Sequence, residues 1–447
     1  MDITTFVGFF KTSAVIWLLF ILYMENLLHY IWKYKLYPSG GLSSTDGEPL
    51  EVINPGEHNT DAGPDFFNAK LRIGETLWVG NVEIHNQSSD WYAHKHETNR
   101  AYDNVILHVV QEENRPVFLS DGKKVPTLLL QIPEQVKENY SELLAVLDYP
   151  RCHRIISSLP RLSVHSYLSA LQTERLSQKA ERIEELRLKN ELNWEDAFFA
   201  TLARNFGFGT NGEAFQLWAS RIPLRAVGKH RDDLFQVEAI FFGQAGLLSR
   251  EEEGDEYYNR LKREYAFLSH KFGLVPMDAS IWRFMRMRPS NFPNIRLAQL
   301  AYLYHNGAGL LSRILECDRL DDVLSLFDVV TSVYWETHYS FSRVSAKRVK
   351  RLSLQSKYLL IVNTVSPFFF AYGKYKGDEA LCQRAIRFME ELKAEDNHII
   401  RTWNQCGLQV KSAADSQALI QLKREYCDKY LCLRCRFGYE YLKQRRQ

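Results

Sequence analysis

The residues best able to do chemistry lie in one stretch, NPGEHNTDAGPDFFNAKLRIGETLWVGNVEIHN, from Asn54 to Asn86. Two alternating apolar runs, 66–73 and 77–85, flank Gly74-Glu75-Thr76, a turn signal that predicts a hairpin. Asp65 opens the first strand, and Glu83 and His85 close the second. A hairpin sets the start of one strand beside the end of the other, so Asp65 and Glu83 should converge. Side chains alternate along a strand, which puts Glu83 and His85 on one face and Ile84 on the other. Leu77 and Val79 share that face and are expected to floor the site. Two carboxylates and a backbone carbonyl make an oxygen-rich site suited to Mg²⁺ or Mn²⁺. Such an ion lowers the pKa of a bound water and offsets charge on a phosphoryl group, with His85 orienting the nucleophile. Asn59 and Asp61 sit just before Asp65 as turn formers or as groups that position the acid. His94, His96 and Tyr102 follow in an irregular segment and can approach the same place. His108, inside the apolar run VILHVV, reads as a core histidine.

Cys427, Cys432 and Cys435 form a second candidate centre, in YCDKYLCLRC. Three thiols this close can hold Zn²⁺ or an iron–sulfur cluster. Cys406 is the expected fourth ligand, with Cys152 or a histidine as alternatives. A third candidate is basic. Arg283, Arg286, Arg288 and Arg296 stand in an acid-free segment with Trp282, Phe284 and Phe292, and this pattern suits phosphate contact and base stacking. Residues 343–357 and the tail from Lys423 are also basic. FGFGTN (206–211) lacks a P-loop lysine and a dinucleotide fingerprint, so it reads as a turn between helices, and no small-molecule cofactor motif is expected.

The elements that must carry these residues divide the chain. Helix, strands, helix and strand alternate over the first 150 residues, and long charged amphipathic stretches follow to about residue 425. With 447 residues, 45% hydrophobic, the chain can bury a large core and should form two or three domains. The expected parts are an apolar leader (1–23), an α/β domain (24–150), a helical domain (151–405) and a cysteine-containing segment (406–447). A net charge of +2 leaves partner choice to local patches. Seven cysteines are too few for a disulfide scaffold, which suits a reducing compartment. The run AVIWLLFILYM (14–24) approaches membrane-spanning length. MENLLHYIWKYKLY, however, reads as an ordinary domain opening, with Leu27, Leu28, Ile31 and Trp32 as its buried stripe. Met24 is therefore expected to be the true start, which removes the case for a membrane segment and points to the cytoplasm.

Pro64-Asp65 followed by Glu83-Ile84-His85, on a hairpin after a helix, resembles the motif of the PD-(D/E)XK nuclease superfamily. The resemblance covers about residues 25–135 and departs from the pattern at His85, where that superfamily usually has lysine. It implies an α+β fold, a restriction-endonuclease-like αβββαβ core followed by a large mostly helical region. It also implies Mg²⁺-dependent phosphodiester hydrolysis of DNA or RNA by Asp65, Glu83 and His85, with a migrated Lys70 or Lys95 as a substitute. Some such nucleases carry iron–sulfur clusters on C-terminal cysteines. Over nearly its full length the chain is also similar to an uncharacterised bacterial family of unknown function. The matching stretches are IWKYKLY, GPDF to VEIH, ARNFGFGTN, FGQAGLL, MRPSNFPNIRLAQLA, and SQALIQLKREYC with CLRC. A metal-dependent nuclease is thus the first expectation. A degenerate core that binds nucleic acid without cutting is the second, and a metallohydrolase acting elsewhere is the third.

Overall fold

Period-2 alternation with β-branched and aromatic residues sets the sheet, and glycine sets where it bends. The computed structural model describes residues 14–37, 41–146, 148–249 and 254–444, with side chains from Met24 onward. Its main sheet contains β1 (Leu50–Asn54), β2 (Glu57–His58), β3 (Phe66–Ile73), β4 (Thr76–Gln87), β5 (Val105–Glu112) and β6 (Thr127–Leu129). The spatial order is β1-β3-β4-β5-β6, with β2 also paired to β3. β3 and β4 are the expected antiparallel hairpin, whereas β4, β5 and β6 run parallel.

Two irregularities flank the site. Between β3 and β4 the register shifts between the pairs Phe66–Val82 and Ala69–Gly80, and Asn68 takes φ +55°. Between β4 and β5 it shifts from Asn81–Val105 to Val82–Leu107, skipping Ile106. Gly80 sits where the two meet. A Cβ there would lie 2.4 Å from Ile106 Cγ2 and 2.7 Å from the Asn104 carbonyl oxygen, so β5 could not approach a larger residue. Beyond this point β4 is a central strand, and Val82 to His85 are buried. Before it, β4 has no parallel neighbour, because pairing with β5 begins at Asn81. Leu77 and Val79 are accordingly 48% and 65% exposed and do not floor the site, contrary to the expectation from alternation.

The helix Ala14–Tyr34 packs on β4, burying Leu27, Leu28, Ile31 and Trp32, which is the stripe the sequence predicts. Trp32 Nε1 donates to the Pro55 carbonyl at 3.0 Å, and the Lys35 ammonium donates to the Val52 and Ile53 carbonyls. The expected leader, residues 1–23, falls partly outside the described residues, since nothing before Ala14 is described. Among those described, no helix is long and apolar enough to cross a membrane. The β4-to-β5 crossover is not a full helix. It comprises one four-residue turn (Asp90–Ala93) and two 3₁₀ turns (His96–Thr98 and Arg100–Tyr102) around buried Trp91 and Tyr102.

The chain forms two units. The first joins residues 1–159 to 425–447 and the second is 160–424. The expected C-terminal segment 406–447 is therefore shared between them. In the first unit, Asn139 of the helix Glu134–Ala145 donates to the carbonyls of Leu442 and Gln444 at 3.2 and 3.0 Å, fixing the final helix Arg436–Lys443. The second unit is mostly helical around an aromatic core that includes Phe198, Phe199, Phe206, Trp218, Phe241 and Phe242. Residues 207–211 link two of its helices, Trp194–Phe206 and Gly212–Ala219.

Candidate metal centre

Asp65 and Glu83 grip each other's strands. The Asp65 N–H donates to Glu83 Oε2 at 3.1 Å, and the Ile84 N–H donates to Asp65 Oδ2 at 2.9 Å. The hairpin thereby delivers both carboxyls to one place. The loop before Asp65 is held by Asn59, whose amide donates to the carbonyls of Asp61, Ala62 and Pro64 and whose Oδ1 accepts from the Asp61 N–H. Asp61 is exposed and takes part through its backbone.

Imidazoles complete the site. His85 Nε2 lies 3.1 Å from His94 Nδ1 and 3.5 Å from Glu83 Oε1. His96 Nε2 lies 3.2 Å from the same oxygen. His85, His94 and His96 each offer a ligand atom within 4.8 Å of the others. His94 is on the solvent side, and the other two are buried. Tyr102 stacks on His96 at 3.8 Å, and Trp91 meets the His96 and His108 rings edge-on or tilted. His108 is buried as expected of a core residue, and it also joins the centre, with Nε2 2.8 Å from His85 Nδ1. When His85 Nδ1–H donates to His108, the lone pair of His85 Nε2 faces Glu83 and His94, the tautomer a metal ligand needs.

Three further groups come from elements the sequence reading did not connect to the hairpin. His29 Nε2, on the N-terminal helix, lies 3.4 Å from Asp65 Oδ2, and the His58 ring packs against the His29 ring at 5.7 Å. Glu25, one helical turn earlier, is close enough to Asp65 to feel its charge. Four-residue spacing puts Glu25 and His29 on one helix face, and this was the available signal. Lys70 and Lys95 are both exposed, and neither stands among the buried groups of the centre.

Burial dominates the electrostatics. It raises the Glu83 carboxyl, and Asp65 raises it further, while the Asp65 N–H opposes the shift. Asp65 is also raised by burial, against the Ile84 N–H and His94. Glu25 rises to about 7 through burial, Asp65 and Asp90. Burial lowers His85 far below its usual range, with His108, His94 and His96 adding to the effect. Burial also takes His96 down to about 4 and His108 to about 3. Near neutral pH these rings are therefore neutral, and the carboxyl pair shares about one proton.

Neutral rings beside a carboxyl fit a cation. His96 Nε2 is buried and, although 3.2 Å from Glu83 Oε1, makes no hydrogen bond among the described residues. Glu83 with His85, His94 and His96 would hold a divalent ion, which would acidify a water and offset charge on a substrate oxygen. Asp65, anchored by Ile84, stands beside this set and can hold or accept a proton.

The other expected sites fare differently. Arg283, Arg286 and Arg288 are exposed, whereas Arg296 is buried. Its guanidinium donates to Gln299 Oε1 at 2.8 Å and Asn291 Oδ1 at 2.6 Å and stacks over Phe208. It is a structural residue, and burial lowers its pKa to about 10. Trp282 is buried too, with Nε1 donating to the Ala245 carbonyl. Lys350 and Lys357, from the second basic run, are also buried and donate to backbone carbonyls. Cys427, Cys432 and Cys435 line one cavity together with Cys152, while Cys406 lies in the second unit.

A family model described as Protein of unknown function (DUF2851) matches residues 25–398. The chain belongs to this family. The DUF2851 match spans all the groups of the hairpin centre, from Glu25 to His108, and stops short of the C-terminal cysteines. No curated protein and no solved structure matches the chain.

Proposed function

We propose that this protein is a metal-dependent phosphodiesterase acting on nucleic acid, with its ion held by Glu83, His85, His94 and His96. The observation that carries the reading is the convergence of His85, His94 and His96, two of them against Glu83 and all beside Asp65. Imidazole nitrogen favours Fe²⁺ or Zn²⁺ over Mg²⁺ and Mn²⁺, which suit oxygen, so the ion differs from the one an oxygen-only site would select. Asp65 takes the proton of the attacking water, and His29 orients Asp65 from behind. The order of the first unit, a helix, antiparallel strands and then a parallel strand, and the Asp65…Glu83-Ile84-His85 motif support a phosphodiester substrate. The exposed Arg283, Arg286 and Arg288 are suited to contact its backbone.

The test uses the full chain, stripped of metal and then given Mn²⁺, Zn²⁺, Fe²⁺ or Mg²⁺ with single-stranded, double-stranded and branched DNA and RNA. Cleavage in a transition metal, lost in Asp65→Ala and Glu83→Ala, is the expected result. Binding without cleavage under every metal would refute it and leave a degenerate, nucleic-acid-binding core. Metal-dependent hydrolysis of simple esters with no effect on nucleic acid would instead leave a metallohydrolase of another substrate class.

A further inference from the structure

We infer that the first unit contains a second, structural metal site, a single Zn²⁺ held by Cys152, Cys427, Cys432 and Cys435. The four thiols come from two stretches far apart in sequence and line one cavity, which they share with Leu143, Arg151, Tyr426 and Gly438. Cys152 immediately precedes the short helix His153–Ile156. Cys432 opens the 3₁₀ turn Cys432–Arg434, and Cys435 caps the helix Arg436–Lys443. The Cys435 N–H donates to the Cys432 carbonyl at 3.2 Å, and the Tyr430 N–H to the Cys427 carbonyl at 3.2 Å. These bonds fold the segment 427–435 into consecutive tight turns that bring its three thiols to the same wall.

The thiols surround a small space of about 20 Å³, room for one water-sized body. Sulfur-only ligation in a tetrahedron is the ordinary structural zinc arrangement, with Zn–S of about 2.3 Å and hence sulfurs about 3.8 Å apart. No three of the four sulfurs yet lie within 4.8 Å of one another, so binding would draw them inward to reach that spacing. A Cβ on Gly438 would lie 2.0 Å from the Cys432 carbonyl oxygen, so the turn already rests on the final helix.

Charge agrees. Four thiolates around Zn²⁺ carry an excess of two negative charges, which a buried site tolerates only beside a cation. Arg151 adjoins Cys152, donates to the Cys427 carbonyl at 3.0 Å and is pinned over the Tyr430 ring at 3.8 Å. Cys406, the fourth ligand expected from sequence proximity, is not among the residues that line this cavity.

The experiment measures metal content and thiol ligation on the full chain purified without chelator. The expected result is one zinc per chain that a mercurial reagent releases as it modifies the thiols. That zinc should be lost in Cys152→Ser and in Cys432→Ser, and kept in Cys406→Ser and in His94→Ala. Cobalt exchanged into the wild-type chain should give the intense near-ultraviolet charge-transfer absorption of thiolate ligation, a readout that does not depend on any variant folding. Absence of thiol-bound metal in the wild type would overturn the inference, as would iron with acid-labile sulfide, or zinc retained in full by Cys152→Ser. Retention in His94→Ala separates this site from the hairpin centre, so either can fail without the other.

Discussion

The electrostatics of the hairpin centre predict how many protons a metal expels as it binds. In the metal-free protein, burial holds Glu83 in its neutral form and the Asp65–Glu83 pair shares about one proton near pH 7. His85, His96 and His108 are neutral because burial lowers them. An ion therefore meets imidazole lone pairs ready to bind and a carboxyl that must first lose its proton. The expected release is about one proton per metal at pH 7, so affinity rises about tenfold, or ~1.4 kcal/mol, per pH unit. Solvated histidines would behave differently. With their ordinary pKa of about 6.5, they would stop competing with metal above neutral pH, and the dependence would flatten. Titration calorimetry with Mn²⁺ or Zn²⁺, in two buffers of different ionisation enthalpy, counts the protons directly between pH 6.5 and 8. The Glu83→Gln variant should bind more weakly and release about one proton fewer. Proton release near zero in the wild type, or undiminished release in Glu83→Gln, would refute the assignment of Glu83 as the protonated ligand. Zinc at the cysteine site does not interfere if the protein is titrated with that site already filled.

Three other predictions test the framework. Glu238 is fully buried, and burial raises its carboxyl to about 7. The folded state thus holds its proton more tightly than the unfolded one. Stability is highest below the unfolded value of about 4.5 and falls as pH rises to about 7, by about 3 kcal/mol in all. Glu238→Gln removes that loss but adds an unpaired amide worth about 1 kcal/mol, so it should stabilise by about 2 kcal/mol at pH 8 and slightly destabilise at pH 4.5. Hydrogen-exchange protection of residues 234–244 should change about 30-fold at pH 8, and equal shifts at both pH values would contradict the sign. Arg296→Ala should cost about 3 kcal/mol, since it strands Gln299 and Asn291, while Arg283, Arg286 and Arg288 changed together to Ala should leave melting unaffected. If nucleic acid binds there, that triple variant lowers the salt slope of affinity by about 2–3, and an unchanged slope would remove these arginines from the interface. Gly80→Ala should cost about 2 kcal/mol or more and weaken metal binding with it, because the added methyl forces β5 away from β4. A variant with wild-type melting and metal affinity would show that the strand pair accommodates the methyl.

What could be read beforehand was local. The hairpin, its turn and the meeting of Asp65 with Glu83 follow from alternation across one short connection. His94 and His96 were reachable because they follow β4 closely. The nature of the centre was less legible, since the orientation of His85 depends on His108 from a parallel neighbour, and its back wall depends on Glu25 and His29 from a preceding helix. Alternation also misled at Leu77 and Val79, where parity gave the face but not whether anything covers it. Arg296 and Trp282 looked like a nucleic-acid surface because a basic, aromatic run reads alike outside or inside a core. Cys152 lay too far from Cys427 in sequence for spacing to rank it above Cys406.

The division of the first unit into two stretches of chain has a consequence for biosynthesis. The sheet and the histidine–carboxyl cluster on it emerge from the ribosome well before residues 425–444, which supply the final helix and Cys427, Cys432 and Cys435. At about 5–20 residues per second, the delay is on the order of 15–60 s. During that interval Asn139 and the face of Glu134–Ala145 wait for a partner encoded some 300 residues later. A premature stop near residue 425 would therefore spare nearly the whole second unit while leaving the first unit unfinished.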